Sequence, residues 1–414
     1  MKSVVLLLAI AGMPIVSQAQ NAPSVLSLSE ALNQANANNP DILAARRGID
    51  VARAALVQAA ALPLQAQAGS GVTQDVPLGL GTLQTFAAGA TQQFSPTIGA
   101  QRQVAGAGVQ IAQAQFASTE RDIDQRVVTA YYSLGSAQAV VAATQQSVTN
   151  AAQLEKSARL RAKVGAVGNF EVLRAAVELR RAQTDLLRAQ ANQRTADIGL
   201  NVLLGRAELT PTSAILSVSS ADSSDVNGLF ERAEQIDPFL AQFRAAIAQS
   251  IAQARVARLQ RAPSVAVSGG FLFQRASGSG VFSRGPTAGV SLSLPLLDYG
   301  TIRGAVLEAQ ARESVAEAQL LGRNAQLHAQ LSQAAADIES ARARLSFSRA
   351  SLTQAQEGLR LAQFGYQQGA LGVLDVLSAR NELAAAQSEV TQASADLGAA
   401  VARLQLIVGA PVLP

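Results

Sequence analysis

The strongest constraint on this chain is that it says the same thing twice. "GAVGNFEVLRA" at 165–175 returns as "GALGVLDVLSA" at 369–379. Shifted by 204 positions, Gly165, Ala166, Gly168, Val172, Leu173 and Ala175 meet Gly369, Ala370, Gly372, Val376, Leu377 and Ala379, and Glu171 meets Asp375. An earlier pair of segments, "ANNPDILAARRGIDVARAAL" and "EQIDPFLAQFRAAIAQSIAQA", sets Pro40 opposite Pro238 and Arg46 opposite Arg244. Self-similarity on this scale restricts the fold to one unit used twice.

Each copy opens with a helix of about 35 residues, ending near Pro63 or Pro263 as a proline stop should. A hairpin follows. In the second copy Val265, Val267, Gly269, Phe271 and Phe273 alternate against Ser264, Ala266, Ser268 and Gly270, and Val290, Leu292 and Leu294 against Gly289, Ser291 and Ser293. Two such period-two runs, joined by the loop "QRASGSGVFSRGPT", read as paired strands over about 264–295. A weaker version covers about 64–95, around a loop containing "DVPLGLG". Then come two very long helical stretches, roughly 96–164 and 300–368. At 1.5 Å per residue each is on the order of 100 Å long. A glycine turn, at 165–168 or 369–372, leads into a shorter helix.

These last helices keep a strict heptad. Val376, Leu383, Val390, Leu397 and Leu404 are seven apart, as are Ala379, Ala386, Ala393, Ala400 and Ile407, and the first copy repeats the register from Val172 and Ala175 with one polar break at Gln193. A straight amphipathic helix drifts off a seven-residue period, so this is coiled-coil packing at close range. The helix before each hairpin and the helix after each turn together equal one long helix, so the two can lie end to end along it. Residues 20–206 form the first repeat, 207–226 an equatorial linker and 227–414 the second repeat.

Composition narrows the function classes. Aromatics are 4% with no Trp, which suits long helices in small-residue contact. The net charge is only +4, and its arginines are scattered, so nothing points to nucleic acid. "MKSVVLLLAIAGMPIVSQA" carries a lysine, an apolar run and a small-x-small end at Ser17 and Ala19, the pattern of a secretory signal peptide over 1–19. With no cysteine there is neither a disulfide nor a Cys-linked lipid anchor. One histidine, His328, and no phosphate-cradling glycine loop argue against an enzyme, a cofactor or a metal centre. No later run is apolar enough for a transmembrane helix, which leaves a soluble exported protein or one bound through β-strands.

Four strands cannot close a membrane barrel alone, since open edges are not tolerated in lipid and about eight strands is the lower limit. Two chains would offer eight and three chains twelve. Here "NNPDILAARRGIDVARAAL", "SLSLPLLDYGTIRGAVLEAQ" and "FGYQQGALGVLDVLSARNELAAAQSEV" with its "LQLIVG" ending, in this order and duplicated, carry a resemblance to the TolC-type outer-membrane efflux proteins across essentially the whole mature chain. The fold class it implies is mainly α with a small β part: duplicated coiled-coil hairpins plus four transmembrane strands per chain, assembled as a homotrimeric channel in the outer membrane that extends into the periplasm. It further implies a periplasmic adaptor and an inner-membrane pump as partners, with outer-membrane lipid around the barrel.

In the resembled family, acidic residues just after the second turn narrow the periplasmic mouth. Here those positions hold Asp375 and Ser378, and Glu171 stands at the matching place in the first copy. A ring of Asp375 carboxylates attracts cations and resists anions; the same residue, three after Gly372, also suits a helix N-terminus. Gly165, Val167, Gly168, Gly369, Leu371 and Gly372 are the expected adaptor contacts, the glycines allowing the chain to reverse. The rival class, a soluble periplasmic coiled-coil adaptor or scaffold, shares the heptads but not the two hairpins at matching places.

Overall fold

The computed structural model describes residues 24–61, 64–74, 82–207, 210–215, 226–276, 282–295 and 297–410. The expected signal peptide over 1–19 and most of the 207–226 segment lie outside them.

The chain runs β1 (Ser24–Leu26), α1 (Leu28–Asn38), α2 (Pro40–Ala60), β2 (Leu64–Gln74), β3 (Thr82–Phe94), α3 (Thr97–Lys163), α4 (Asn169–Leu203), β4 (Thr212–Ala214), α5 (Val226–Ile236), α6 (Pro238–Leu259), β5 (Ser264–Ala276), β6 (Phe282–Ser293), α7 (Thr301–Gln367) and α8 (Val373–Ile407). The long helices α3 and α7 are both 67 residues, and α4 and α8 both 35. Helices α2 and α4 pack in succession along α3, as α6 and α8 do along α7.

In place of one helix of about 35 residues, each copy opens with two. The break falls at Asn39 and Asp237, and the following proline is the first helical residue in each case. Proline has no N–H to give the previous turn, but its fixed φ suits the start of a helix. The residue before it is driven to extended backbone (φ −64°, ψ 128° at Asn39; φ −65°, ψ 118° at Asp237), where its side chain caps the new helix. Asn39 Oδ1 accepts from the Asp41 N–H at 2.9 Å, and Asp237 Oδ1 from the Leu240 N–H at 3.0 Å.

The strands are longer than their sequence alternation suggests. β5 continues to Ala276 and β6 begins at Phe282, with Gln274 opposite Ser283 and Arg275 opposite Phe282, so part of the expected loop is strand. Both faces of this sheet are largely exposed, so polar residues sit within the ladder and blur the period. The four strands form one antiparallel sheet in the order β2-β3-β5-β6, with β3 joining β5 across the two copies and β2 and β6 left as edges. Strands of 11 to 13 residues are long enough to cross the hydrocarbon core of a membrane. Among the described residues no helix is long and apolar enough to do so.

The connections from sheet to long helix differ between the copies. Two residues, Ser95 and Pro96, separate β3 from α3, whereas seven, Leu294 to Gly300, separate β6 from α7. The longer one ends with Tyr299 at φ 45° and Gly300 at φ 89°. The two sides are braced differently: Arg102 Nη2 donates to the Ala60 carbonyl at 2.6 Å, and Arg261 pairs with Asp298 at 3.4 Å.

Most of the core lies around mid-length of α3 and α7. One cluster joins β1, α1, α3 and the end of α4 to α8 through Ile42, Ile123, Val127, Tyr131, Leu134 and Leu200; a second joins α5–α8 through Leu240, Leu327, Leu331, Ile338 and Leu404. The Tyr131 hydroxyl, 2.9 Å from the Leu26 carbonyl, also accepts from the Ile215 N–H at 2.9 Å and so holds the small parallel β1–β4 pair.

Candidate gate and tip turns

Both tip turns are built by the same local chemistry. Helix α3 ends with Gly165 at φ 74°, and α7 with Gly369 at φ 74°. This is the left-handed region that an L side chain enters only at a cost. In the first turn the Ala166 N–H reaches back to the Arg161 carbonyl (2.9 Å) and Gly165 to Ala162 (3.1 Å); in the second, Ala370 reaches Gly365 (2.9 Å) and Gly369 reaches Tyr366 (3.2 Å). These paired bonds are a Schellman cap, which satisfies carbonyls that the ended helix would leave bare. Gly168 and Gly372, expected to share the work of reversal, instead sit in extended backbone (φ −80° and −86°) that any residue adopts. Only one glycine per turn is needed for its conformation.

Past the turns the copies diverge. Asp375 is exposed, and its Oδ2 accepts from the Gly372 N–H at 2.9 Å. Gly372 has no side chain to return the bond, so only the acidic half of a capping box is present. A carboxylate held this way keeps its second oxygen free for solvent or an ion. Ser378, one turn on, is exposed, and its Oγ lies 3.4 Å from Glu382 Oε1. Glu382 was not singled out by the sequence, yet it completes an i, i+3, i+7 line from Asp375 along one exposed face of α8. Glu171 occupies Asp375's place in the first copy but makes no such cap: its Oε2 is buried without a hydrogen-bond partner.

The remaining tip positions present an apolar, partly basic end. Leu371 is 41% exposed and folds back onto Gly365, where a Cβ would lie 2.6 Å from Leu371 Cδ1. Val167 is half-buried, while Val164, Phe170 and Leu173 beside it are exposed. The Arg161 guanidinium lies 4.3 Å from the Tyr366 ring centroid, in the range of a cation–π contact between α3 and α7. Slightly higher, Arg380 on α8 donates to the Asn150 carbonyl on α3 at 2.8 Å, and burial lowers its pKa. Thus Asp375 and Ser378 share a face of α8, whereas Glu171 belongs to a separate hairpin. The six turn residues lie at the two hairpin ends.

A second charged constellation, which sequence reading missed, sits far above the tips. Asp237, with a fully buried side chain, receives Arg323 Nη2 at 2.6 Å and Arg121 Nη1 at 3.4 Å while capping α6. Arg323 also stacks on Phe239, 4.6 Å from its centroid. Its counterpart Asn39 is neutral and donates to the Leu203 carbonyl at 2.9 Å. Nearby, Asp124 is raised to about 7 by burial and by Glu120. The lone histidine, His328, is exposed and packs its ring against Phe230 at 5.2 Å.

Paired coiled-coil hairpins of this length, joined to a sheet whose strands are long enough to cross a membrane and ended by duplicated helix caps, are the architecture of an outer-membrane channel protein. The family model for outer membrane efflux proteins matches residues 31–206 and 229–410. The chain belongs to that family, whose members are transport proteins rather than enzymes. Protein CyaE of Bordetella pertussis is 27% identical over 236 residues, 53% of this chain and 50% of that protein, so the chain spans about half the length of that relative. The cobalt-zinc-cadmium resistance protein CzcC of Cupriavidus metallidurans is 23% identical over 303 residues, 70% of this chain and 68% of that one. Among solved structures, the outer membrane protein VceC of Vibrio cholerae matches with a TM-score of 0.76 over 93% of this chain and 97% of that chain, at 18% identity; this likeness is one of fold. The family match removes the soluble adaptor or scaffold as the reading of the chain.

Proposed function

We propose that this chain is one subunit of a homotrimeric exit duct that crosses the outer membrane and extends through the periplasm. It passes small molecules or secreted substrates received from an inner-membrane pump through a periplasmic adaptor. The observation that carries the ring is the half-filled set of partners around α7. Helix α3 packs against α2 and α4 of its own copy and α6 and α8 of the other; α7 packs against α5, α6 and α8, with no comparable packing on α2 or α4. The sheet repeats the shortage, since β3 and β5 are paired on both sides while β2 and β6 are each paired on one side only. A second copy placed so that its α2, α4 and β2 meet α7 and β6 fills both gaps with contacts the chain already makes once. Head-to-tail placement of this kind closes a ring when the rotation between copies returns to its start, and a sheet with no free edge in lipid requires that it does. With three copies the four-stranded sheets become a closed barrel of 12 strands, and no edge faces lipid.

The tip turns then form the periplasmic mouth. Asp375 and Ser378, with Glu171 contributed from the first hairpin, make the gate, where one Asp375 carboxylate per chain favours cations. Gly165, Val167, Gly168, Gly369, Leu371 and Gly372 form the surface offered to the adaptor. Residues 1–19 act as the cleaved export signal, and the absence of cysteine leaves no site for a lipid anchor. In this reading the duct is passive, and the energy for transport comes from the pump.

The test is the native mass of the protein extracted in detergent from outer membranes. A three-chain particle is expected, and a monomer or dimer in the soluble periplasmic fraction would end the reading. With a trimer in hand, Asp375→Asn should lower the cation preference of single channels; an unchanged preference would remove Asp375 from the gate.

A further inference from the structure

At mid-length the wall of helices has two sides, and what packs on α3 tells them apart. Ile123, Val127 and Tyr131 of α3 are buried with β1 and α1, and the Tyr131 hydroxyl ties β1 to the residue after β4. Arg126, Thr129 and Ser133 are exposed. Thr129 follows Val127 by two residues, about 200° round the helix, so this second set lies on the opposite side. Three copies with β1, α1, β4 and α5 turned inward would plug the bore, so the side carrying Thr129 faces it. This rests on the ring proposed above.

Helix α8 presents a marked line of charge to the same side. A Cβ added to Gly398 would run into the Tyr132 ring, so α8 lies close on α3, and Arg403 Nη2 donates to Thr129 Oγ1 at 3.1 Å. Arg403 ends a series at seven-residue spacing, Asp375, Glu382, Glu389, Asp396 and Arg403, which keeps to one face of a heptad helix. The matching series in α4 is Glu171, Glu178, Asp185, Asn192 and Gly199. Both begin acidic at the tip and end without a free carboxylate at mid-length: Asp396 is paired with Arg344 at 2.9 Å, Arg403 is a cation, and Gly199 has no side chain.

A groove of about 720 Å³ lies over α3 at this level, between α4 and α8. Arg126 and Arg403 line it, and the half-buried Ala130, Ala196 and Leu203 give it an apolar patch. Asp122 also lines it, 3.8 Å from Arg126, so one carboxylate stands against two guanidiniums. Gly199 leaves it open on the α4 side, where an added Cβ would meet nothing within 4 Å.

We propose that this groove is a binding site on the bore wall for amphiphilic organic anions in transit. The apolar body of the ligand rests on Ala130, Ala196 and Leu203, and its sulfonate, carboxylate or phosphate meets Arg126 and Arg403. A guanidinium offers such a group two parallel hydrogen bonds, and a groove of this size takes a ligand of a few rings. Cargo then passes from an acidic lower duct to a basic, partly apolar shelf above it.

The probe is naphthalene-2-sulfonate, with 2-naphthylmethylammonium as the cation of similar size. Titration calorimetry uses the purified full-length protein in uncharged detergent, with protein-free micelles as the blank. The sulfonate should bind and the ammonium should not. Arg403→Gln, which removes a guanidinium, and Gly199→Leu, which fills the groove, should each weaken the sulfonate about tenfold. Both positions are exposed, and leucine is the better helix former, so melting temperatures near that of the parent protein keep folding out of the result. Glu389→Gln, two heptads below Arg403, should change the affinity less than twofold. Equal binding of the two probes, or an affinity indifferent to both substitutions, would overturn the proposal. In planar bilayers the sulfonate should reduce the single-channel current of the parent protein and spare Gly199→Leu; binding that leaves the current untouched would place the groove outside the bore and overturn it as well. The titration reads a groove contained in one chain and the native mass reads the ring, so failure of either is seen separately.

Discussion

Helices α4 and α8 are the same element made twice, with the same length, the same heptad register and the same entry turn, yet they are buried very differently. Fourteen residues of α8 are buried, from Val373 to Gln405, and only four of α4: Ala175, Ala189, Leu200 and Asn201. Leu173, Val177 and Leu187 on α4 are each 66% exposed. The pattern is alike and the surroundings are not: α8 lies between α7 and α3, whereas α4 packs along its length on α3 and meets other elements only near its end. Burial in a duplicated chain therefore follows the number of packed neighbours rather than any weakness of the sequence. Where the copies differ in residue type as well, as at Asp237 against Asn39 or Gly398 against Arg194, the difference is built in and can be tested one copy at a time.

The largest contrast is expected at the breaks between the paired helices. Asp237→Ala removes the cap of α6 and strands two largely buried guanidiniums, Arg121 and Arg323, which should cost about 3–5 kcal/mol. Asn39→Ala, its counterpart, should cost about 1–2 kcal/mol as the loss of a neutral cap. Denaturant unfolding of both variants measures the gap, and equal losses would mean the clasp adds nothing beyond capping. Next comes Gly398→Ala. A Cβ pressed into Tyr132 should cost about 1–3 kcal/mol by overpacking, against a gain of about 1 kcal/mol in helix propensity. The melting temperature should therefore fall, while Arg194→Ala leaves it nearly unchanged.

Asp124 adds a dependence on pH. Its carboxyl holds its proton to about 7 in the folded chain, against an ordinary value of 3.8. The unfolded chain therefore loses that proton first as pH rises, and stability drops from about pH 4 to about pH 7 and then levels. Asp124→Asn should leave stability at pH 4 unchanged and raise it at pH 8, by the order of 1–2 kcal/mol after allowing for partial solvent access. A melting series across pH decides it. The smallest effects belong to the turns. Gly165→Ala and Gly369→Ala should each cost about 1 kcal/mol for a left-handed alanine, while Gly168→Ala, in extended backbone, should cost almost nothing. Equal losses at Gly165 and Gly168 would contradict the division of labour between them.

Much of this architecture was legible because it rests on local repetition. The heptad from Val376 to Leu404 announced packing at a fixed period, and the proline–glycine punctuation at Pro263 and Gly369 marked where helices stop. What sequence could not give depends on distance or on competition. Asp237 lies 116 residues from Arg121 and 86 from Arg323, so the clasp left no trace in any window. Pro40 and Pro238 registered as landmarks of the repeat, although their physical role is to begin a second helix. The β1–β4 pair is three residues long, too short for alternation to register. At the tip, Asp375 suited both a gate and a cap from sequence. The cap is visible in one chain, whereas a ring of carboxylates requires copies that one chain does not contain.

The unequal links between sheet and helix set how motion can travel. A two-residue connection such as Ser95–Pro96 is a stiff coupling: twist applied to α3 is delivered to β3 almost undiminished. The longer link before α7 is held near its end by Asp298, whose carbonyl accepts from the Thr301 N–H at 2.9 Å and whose carboxylate pairs with Arg261. Of the four links between sheet and helices, the shortest leads into α3 and the longest into α7. Torsion carried along α7 therefore reaches the sheet through the longest link, and torsion carried along α3 through the shortest.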